Sequence, residues 1–126
     1  MGDPAPERRY TPDEANAALP ELTERLTRIR DARQVVLSGA RALSETMASN
    51  GGGRRGAEYW GALQSLRRDL EAVNGMGILL RDADTGLVDF PATVDGADAF
   101  LCWRLGEPAV AHWHPVDTGF AGRRPL

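Results

Sequence analysis

The sequence predicts an α+β fold: a long antiparallel helical hairpin followed by a small antiparallel sheet of three or four strands. Three observations predict it. Apolar residues recur at alternating four- and three-residue spacings over two long stretches, a run of glycines separates those stretches, and beyond Gly77 the pattern changes to short β-type runs bounded by turn formers.

The first helix is announced by "YTPDEANAALPEL". Thr11 suits the N-cap and Pro12 the first helical position, and Glu14 stands three residues after the cap, which completes a capping box. Pro20 has no N–H for the carbonyl of Asn16, so a kink or a restart is expected there. Leu22, Leu26, Ile29, Arg33, Val36, Ala40, Leu43 and Met47 then form a seam of the kind that packs against a second helix. Arg33 sits inside that seam, which calls for an acidic partner such as Asp69 or Glu71, or for a wet interior. "SNGGGRRG", residues 49–56, reads as a flexible linker, since consecutive glycines lose much backbone entropy on ordering. Tyr59, Leu63, Leu66, Leu70 and Val73 make the second seam, and "NGMG" ends it. The hairpin thus covers 11–75.

A β-meander is expected over 77–115, with 116–126 as a C-terminal loop or tail. "ILLRD" and "LVDFPAT" flank the turn formers of "ADTG", and "DAFLCWRL" and "AVAHWH" flank "GEP". The whole of 1–126 reads as a single domain, a length that supports one core.

Composition narrows the function. Hydrophobic residues make up 42% and charged residues 26%, which is ordinary for a globular chain. No apolar run approaches the ~20 residues that cross a bilayer. One cysteine cannot form an internal disulfide, and "MGDPAPERRY" lacks the apolar core of a signal peptide, so a soluble, cytoplasmic protein is expected. All fifteen basic residues are arginine. A coding bias or a preference for bidentate ion pairs would each produce that composition. The net charge of −3 lies in the part from Gly77 onward, where four Arg face six Asp and one Glu. That balance argues against a nucleic-acid surface.

The candidate site is "LCWRLGEPAVAHWHP", Leu101 to Pro115. It holds the only cysteine, both histidines and two of the three tryptophans. Period-two geometry puts Cys102 and Arg104 on one face of a strand, and His112 and His114 on the matching face of the next. Trp103 and Trp113 then turn toward the helices, where Trp60 could join them. Two histidines at i and i+2 fit a divalent transition metal such as zinc, with Glu107, Asp117, Asp89 or Cys102 completing the set. The commoner arrangement for such a pair is that one or both histidines donate to backbone carbonyls or carboxylates at a sheet edge. Cys102 reads as a small core residue, or as a nucleophile if a base such as His114 stands beside a depressed thiol. Arg104, Arg123 and Arg124 suit a small anionic ligand. Against that stand an ion pair of Arg104 with Asp89 or Glu107, and a solvated tail for the last two arginines.

The segments "YTPDEANAALPEL", "GLVDFP", "LCWRLGEP", "WH" and "GFAGRRPL" together resemble the domain of unknown function 2203 family, small bacterial and archaeal proteins. The resemblance spans nearly the whole chain and implies that Asp89, Arg104, Glu107, His114, Gly119 and Arg123 belong to the family's signature. It implies no activity, and His112 falls outside it.

Two function classes therefore remain open. One is a non-catalytic module that self-associates, most simply as a homodimer through its helical seams in coiled-coil fashion, or binds a partner, with a polar site on its sheet. The other is a metal-binding protein or small metal-dependent hydrolase, with His114, His112, Glu107 and Asp117 as ligands. Whether the protein is an enzyme is left open by the residues alone.

Overall fold

The structure, a computed structural model, describes residues 8–49 and 54–126, with side chains throughout except at 41–49 and 54–55. The side chains of the expected seam positions Leu43 and Met47, and glycines 51–53 of the expected linker, lie outside that description.

Two helices precede a five-stranded antiparallel sheet. Helix α1 runs Pro12–Ser49 and α2 Arg54–Gly75. The strands are β1 (Leu79–Asp82), β2 (Leu87–Val94), β3 (Ala97–Arg104), β4 (His112–Pro115) and β5 (Arg124–Pro125), ordered in space as in sequence.

The capping box forms as the sequence requires: Glu14 N–H donates to Thr11 Oγ1 at 3.1 Å, and Thr11 N–H to Glu14 Oε1 at 2.9 Å. No restart occurs at Pro20, because α1 is continuous through it. Pro20 is exposed, so the carbonyl that its ring deprives of a partner lies where water can hydrate it. Helix α2 already begins at Arg54, inside the expected 49–56 linker. The helices are antiparallel, with Asp69 at the level of Arg25 and Arg28, and Tyr59 against Gly39.

That level corrects two expectations. Asp69, not Leu70, faces α1. It is buried and accepts from Arg25 Nη1, Arg28 Nε and Arg28 Nη2, each at 3.0 Å, while Leu70 is 39% exposed. Arg33 lies farther along the arm than Asp69 and pairs instead with Asp84 in the β1–β2 turn. The Arg28 hydrogen bonds, with those of Arg25, hold the Asp69 carboxyl below its usual range against the opposing effect of burial.

The core lies between the helix bases and one sheet face. Leu22, Leu26 and Ile29 of α1 and Val73 of α2 bury against Val88 and Phe90 of β2 and Leu101 and Trp103 of β3. Tyr10 closes one end: its N–H donates to Pro91 O at 2.7 Å, its hydroxyl to Met76 O at 2.6 Å, and its ring meets Phe90 edge-on at 5.1 Å. Burial raises the Tyr10 phenol above its ordinary range. Asn16 ties α1 to the loop before β4 by accepting from Val110 N–H at 2.8 Å. Trp113 packs partly on this core, as the alternation predicts. Trp60 does not join it, being 59% exposed on the outer part of α2.

Register follows from turn chemistry. Asp95 and Gly96, with φ of 52° and 80°, make the two-residue turn that pairs Val94 with Ala97. Gly86 has φ of 69°, and a Cβ there would lie 2.6 Å from Leu105 Cβ, so only glycine lets the β1–β2 turn seat against the end of β3. The expected three or four strands become five because the C-terminal segment is not merely a loop. It makes a 3-10 turn at Phe120–Gly122 and then β5, which pairs with β4, and Leu126 N–H donates to Ala111 O at 2.9 Å.

Candidate functional site

Alternation along β2, β3 and β4 sends Asp89, Cys102 and His112 to the sheet face opposite the core, in one cross-strand row. His114 lies one step along on the same face, opposite Phe100. The polar face inferred from period two is therefore real, and it brings together Asp89, Cys102 and His114, all buried.

Asp89 is the hub. Its Oδ2 accepts from Arg81 Nε at 2.9 Å and its Oδ1 lies 2.9 Å from His114 Nε2. His114 Nδ1 lies 2.8 Å from Pro115 O. A carbonyl oxygen only accepts, so Nδ1 carries a hydrogen. A further proton between Nε2 and Oδ1 then joins imidazole to carboxyl, whichever of the two atoms holds it. Both ring nitrogens of His114 are thereby engaged. Phe100 tilts over the imidazole with centroids 5.5 Å apart, and Arg81 stacks over Phe100 at 5.2 Å.

Cys102 completes the row with its thiol beside Asp89. Burial pushes the thiol up to about 11, and the neighbouring carboxylate adds to the rise. At neutral pH it is a thiol, without the depressed acidity a nucleophile needs.

A second cluster forms where the C-terminal segment meets the sheet. Arg123, expected in a solvated tail, is only 13% exposed: its Nη2 donates to both oxygens of Glu107 at 2.8 and 3.0 Å and to Cys102 O at 3.4 Å. Glu107 also accepts from Arg104 N–H at 2.7 Å, while its backbone carbonyl takes Trp103 Nε1–H at 3.1 Å. Burial works against ionisation of Glu107, but the Arg123 hydrogen bonds and the Arg104 N–H outweigh it and hold the carboxyl below its usual range. Arg104 therefore meets Glu107 through its backbone, not its guanidinium, which lies 5.4 Å from the centre of the Phe120 ring, a ring that the Arg123 guanidinium also approaches, at 4.6 Å. Arg81, which the sequence reading did not single out, takes the partnership with Asp89 expected of Arg104. Arg124 lies over Trp113 at 5.4 Å. Arg123 Nε and His112 Nδ1 are buried without a partner.

Of the six residues considered as metal ligands, the fold brings His114, Asp89 and Cys102 together and leaves His112, Glu107 and Asp117 outside that group. Among the described residues, the donors that meet His114 are Asp89 and Cys102, with ligand atoms within 4.8 Å of one another. His112 is half-buried across from Cys102, and Asp117 is exposed in the turn after β4. Of the ligand or ion-pair candidates, Asp89 and Arg123 serve two different clusters, with Glu107 in the second. Two signals for the missed partners are present in the sequence: Arg81 and Asp89 flank one hairpin turn, and Arg123 follows a glycine-rich segment able to fold back.

A helical hairpin packed on one face of an antiparallel meander, with the other face closed by polar groups bonded to one another, defines a small two-layer α+β protein. The family model for the uncharacterized conserved proteins of DUF2203 matches residues 8–126, and the chain belongs to that family. No curated protein and no solved structure matches the chain. No helix among the described residues is long and apolar enough to cross a membrane.

Proposed function

We propose that the protein is a non-catalytic association module whose hairpin arm is the contact element and whose polar sheet face serves to hold the fold together. One observation carries the reading: the 38-residue α1 runs about 57 Å at ~1.5 Å per residue, well past the sheet, and apolar side chains stay exposed on the overhang. Leu37 is 58% exposed and Trp60 59%. A solvated arm does not need them, whereas a contact surface does. The engaged nitrogens of His114 and the raised thiol of Cys102 support the non-catalytic part.

The test is the solution mass of tag-free protein across concentration, with elemental analysis of the same sample. Concentration-dependent association without stoichiometric metal is the expected result. A second reading, a divalent transition metal such as zinc held by Asp89, Cys102 and His114, is favoured by their mutual 4.8 Å spacing. Loading would require the Cys102 thiol to lose its proton and Asp89 to give up a partner. Stoichiometric metal that disappears in His114→Ala would establish that reading.

A further inference from the structure

We infer that the arm's occupant is a second copy of this chain, docked on the face that carries Leu37 and Trp60 and related by a two-fold axis. The inference rests on the reading of the arm as a contact element and adds the face and the partner.

Helical geometry fixes the face. On α1 the residues turned to α2 follow the line Arg25, Ala32, Val36 and Gly39, and those turned to the sheet lie about 100° further round. Leu22, Leu26, Ile29 and Arg33 occupy that sheet-facing line, the first three buried in the core and the last paired with Asp84 where the sheet ends. Leu37 is the next residue on the same line. On α2, Trp60 follows Tyr59, which faces Gly39 of α1. In an antiparallel pair, one step on from the shared seam leads to the same side on both helices. Leu37 and Trp60 therefore share the sheet-facing side at one level, with half-buried Leu63 beside them. The stripe that forms the core thus continues past the sheet with nothing described on it. Val35, 44% exposed, points to the opposite side.

Charge identifies the occupant. No charged residue lies between Arg33 and Arg41 on α1, nor between Glu58 and Arg67 on α2, and these two stretches lie at one level. The result is a neutral belt around the arm, bounded by charges at each end, which is the composition of an interface centre and its rim. A neutral belt offers no charge pattern to select a foreign partner. It does suit itself, because a two-fold contact puts identical surfaces together and here brings no like charges into register. Two hairpin arms meeting on this stripe form a four-helix bundle, the arrangement that covers an apolar face two helices leave open.

The experiment is sedimentation velocity on the full chain with Leu37→Glu, Trp60→Glu and Val35→Glu, alongside iodide quenching of tryptophan on dilution. A dimer is expected, weakened at least roughly thirty-fold by Leu37→Glu or Trp60→Glu, as for residues at an interface centre, and little changed by Val35→Glu. Quenching should rise on dilution as Trp60 becomes exposed, and Trp60→Phe should abolish that rise while keeping the fold. A dimer dispersed by Val35→Glu alone would overturn the proposed face and leave the arm as contact element. A monomer at every concentration would overturn the second copy as occupant. A dimer indifferent to all three charges would overturn this inference and the reading of the arm together.

Discussion

Removing the Asp89 carboxylate should separate a fold-holding hub from a reactive site more sharply than any activity screen. In Asp89→Ala, the buried His114 Nε2 loses the oxygen at 2.9 Å and Arg81 Nε loses its partner at the same distance. Arg81 is largely exposed and can turn to water, so its share is small. His114 cannot turn, because Nδ1 is fixed to Pro115 O and the ring is buried. Breaking a buried, hydrogen-bonded ionisable pair by deleting one partner costs about 3–5 kcal/mol. For a chain of this length, at roughly 4 °C per kcal/mol, that lowers Tm by about 12–20 °C. Urea unfolding followed by circular dichroism measures the free energy directly, and a double-mutant cycle with His114→Ala should return a coupling of about 1–3 kcal/mol. Groups kept for chemistry behave in the opposite way, since their removal is often neutral or stabilising. An Asp89→Ala protein within about 1 kcal/mol of the parent, or more stable than it, would refute the structural role of the hub.

Other outcomes follow from the same geometry. Cys102, buried with its thiol raised to about 11, should resist a disulfide reagent at pH 8 in the folded protein and react promptly in urea. Asp69 and Glu107 titrate below their usual range in the folded state, so each contributes stability that is complete above the unfolded carboxyl value near ~4 and is lost as pH falls through the lower folded value. Thermal melts should accordingly be flat from neutral pH to about 5 and fall below that, with a shallower acid limb in Asp69→Asn. Gly86→Ala forces an L side chain to a φ of 69° and its Cβ into Leu105, which should cost about 2–4 kcal/mol. Gly119→Ala, at an extended φ with open space around it, should be nearly silent in the same melts.

What was legible in the sequence is what short-range physics decides. The capping box at Thr11 and Glu14, the two helices, and the alternation that divides Trp103 from Cys102 all depend on residues a few positions apart. Asp95–Gly96, an equally local hairpin signal, was passed over although it fixes the β2–β3 register on which the polar row depends. What was not legible depends on where distant segments meet. Spacing put Leu70 in the seam and offered Asp69 only as a partner for Arg33; Asp69 faces α1 because Arg25 and Arg28 stand at its level. Arg104 was the partner expected for Asp89 and Arg81 was passed over; the fold gives Asp89 to Arg81, across the β1–β2 hairpin, while the Arg104 guanidinium turns to Phe120. Arg123 looked like tail because its partners, Glu107 and the Cys102 carbonyl, lie 16 and 21 residues away.

The division of labour between sheet and arm follows from the fold having only one layer of helices. The core covers one face of the sheet, and the other must be closed without a second layer. An apolar face there would be an exposed patch prone to association, while unpaired polar groups would be costly to bury. Asp89, His114, Arg81 and Cys102, with Arg123 and Glu107 next to them, resolve that conflict by satisfying one another beneath Phe100 and Phe120. Asp89, His114 and Glu107, among the residue types most suggestive of chemistry, are thereby engaged, and His112 Nδ1 and Arg123 Nε are the atoms left buried without a partner among the described residues. On the arm the relation is reversed: the plain stretch "QVVLSGA" and its neighbour "YWGALQSL" leave Leu37 and Trp60 more than half exposed, Trp60 meeting only the edge of Tyr59 at 5.2 Å, and it is this unsatisfied surface that has free energy left to gain by binding.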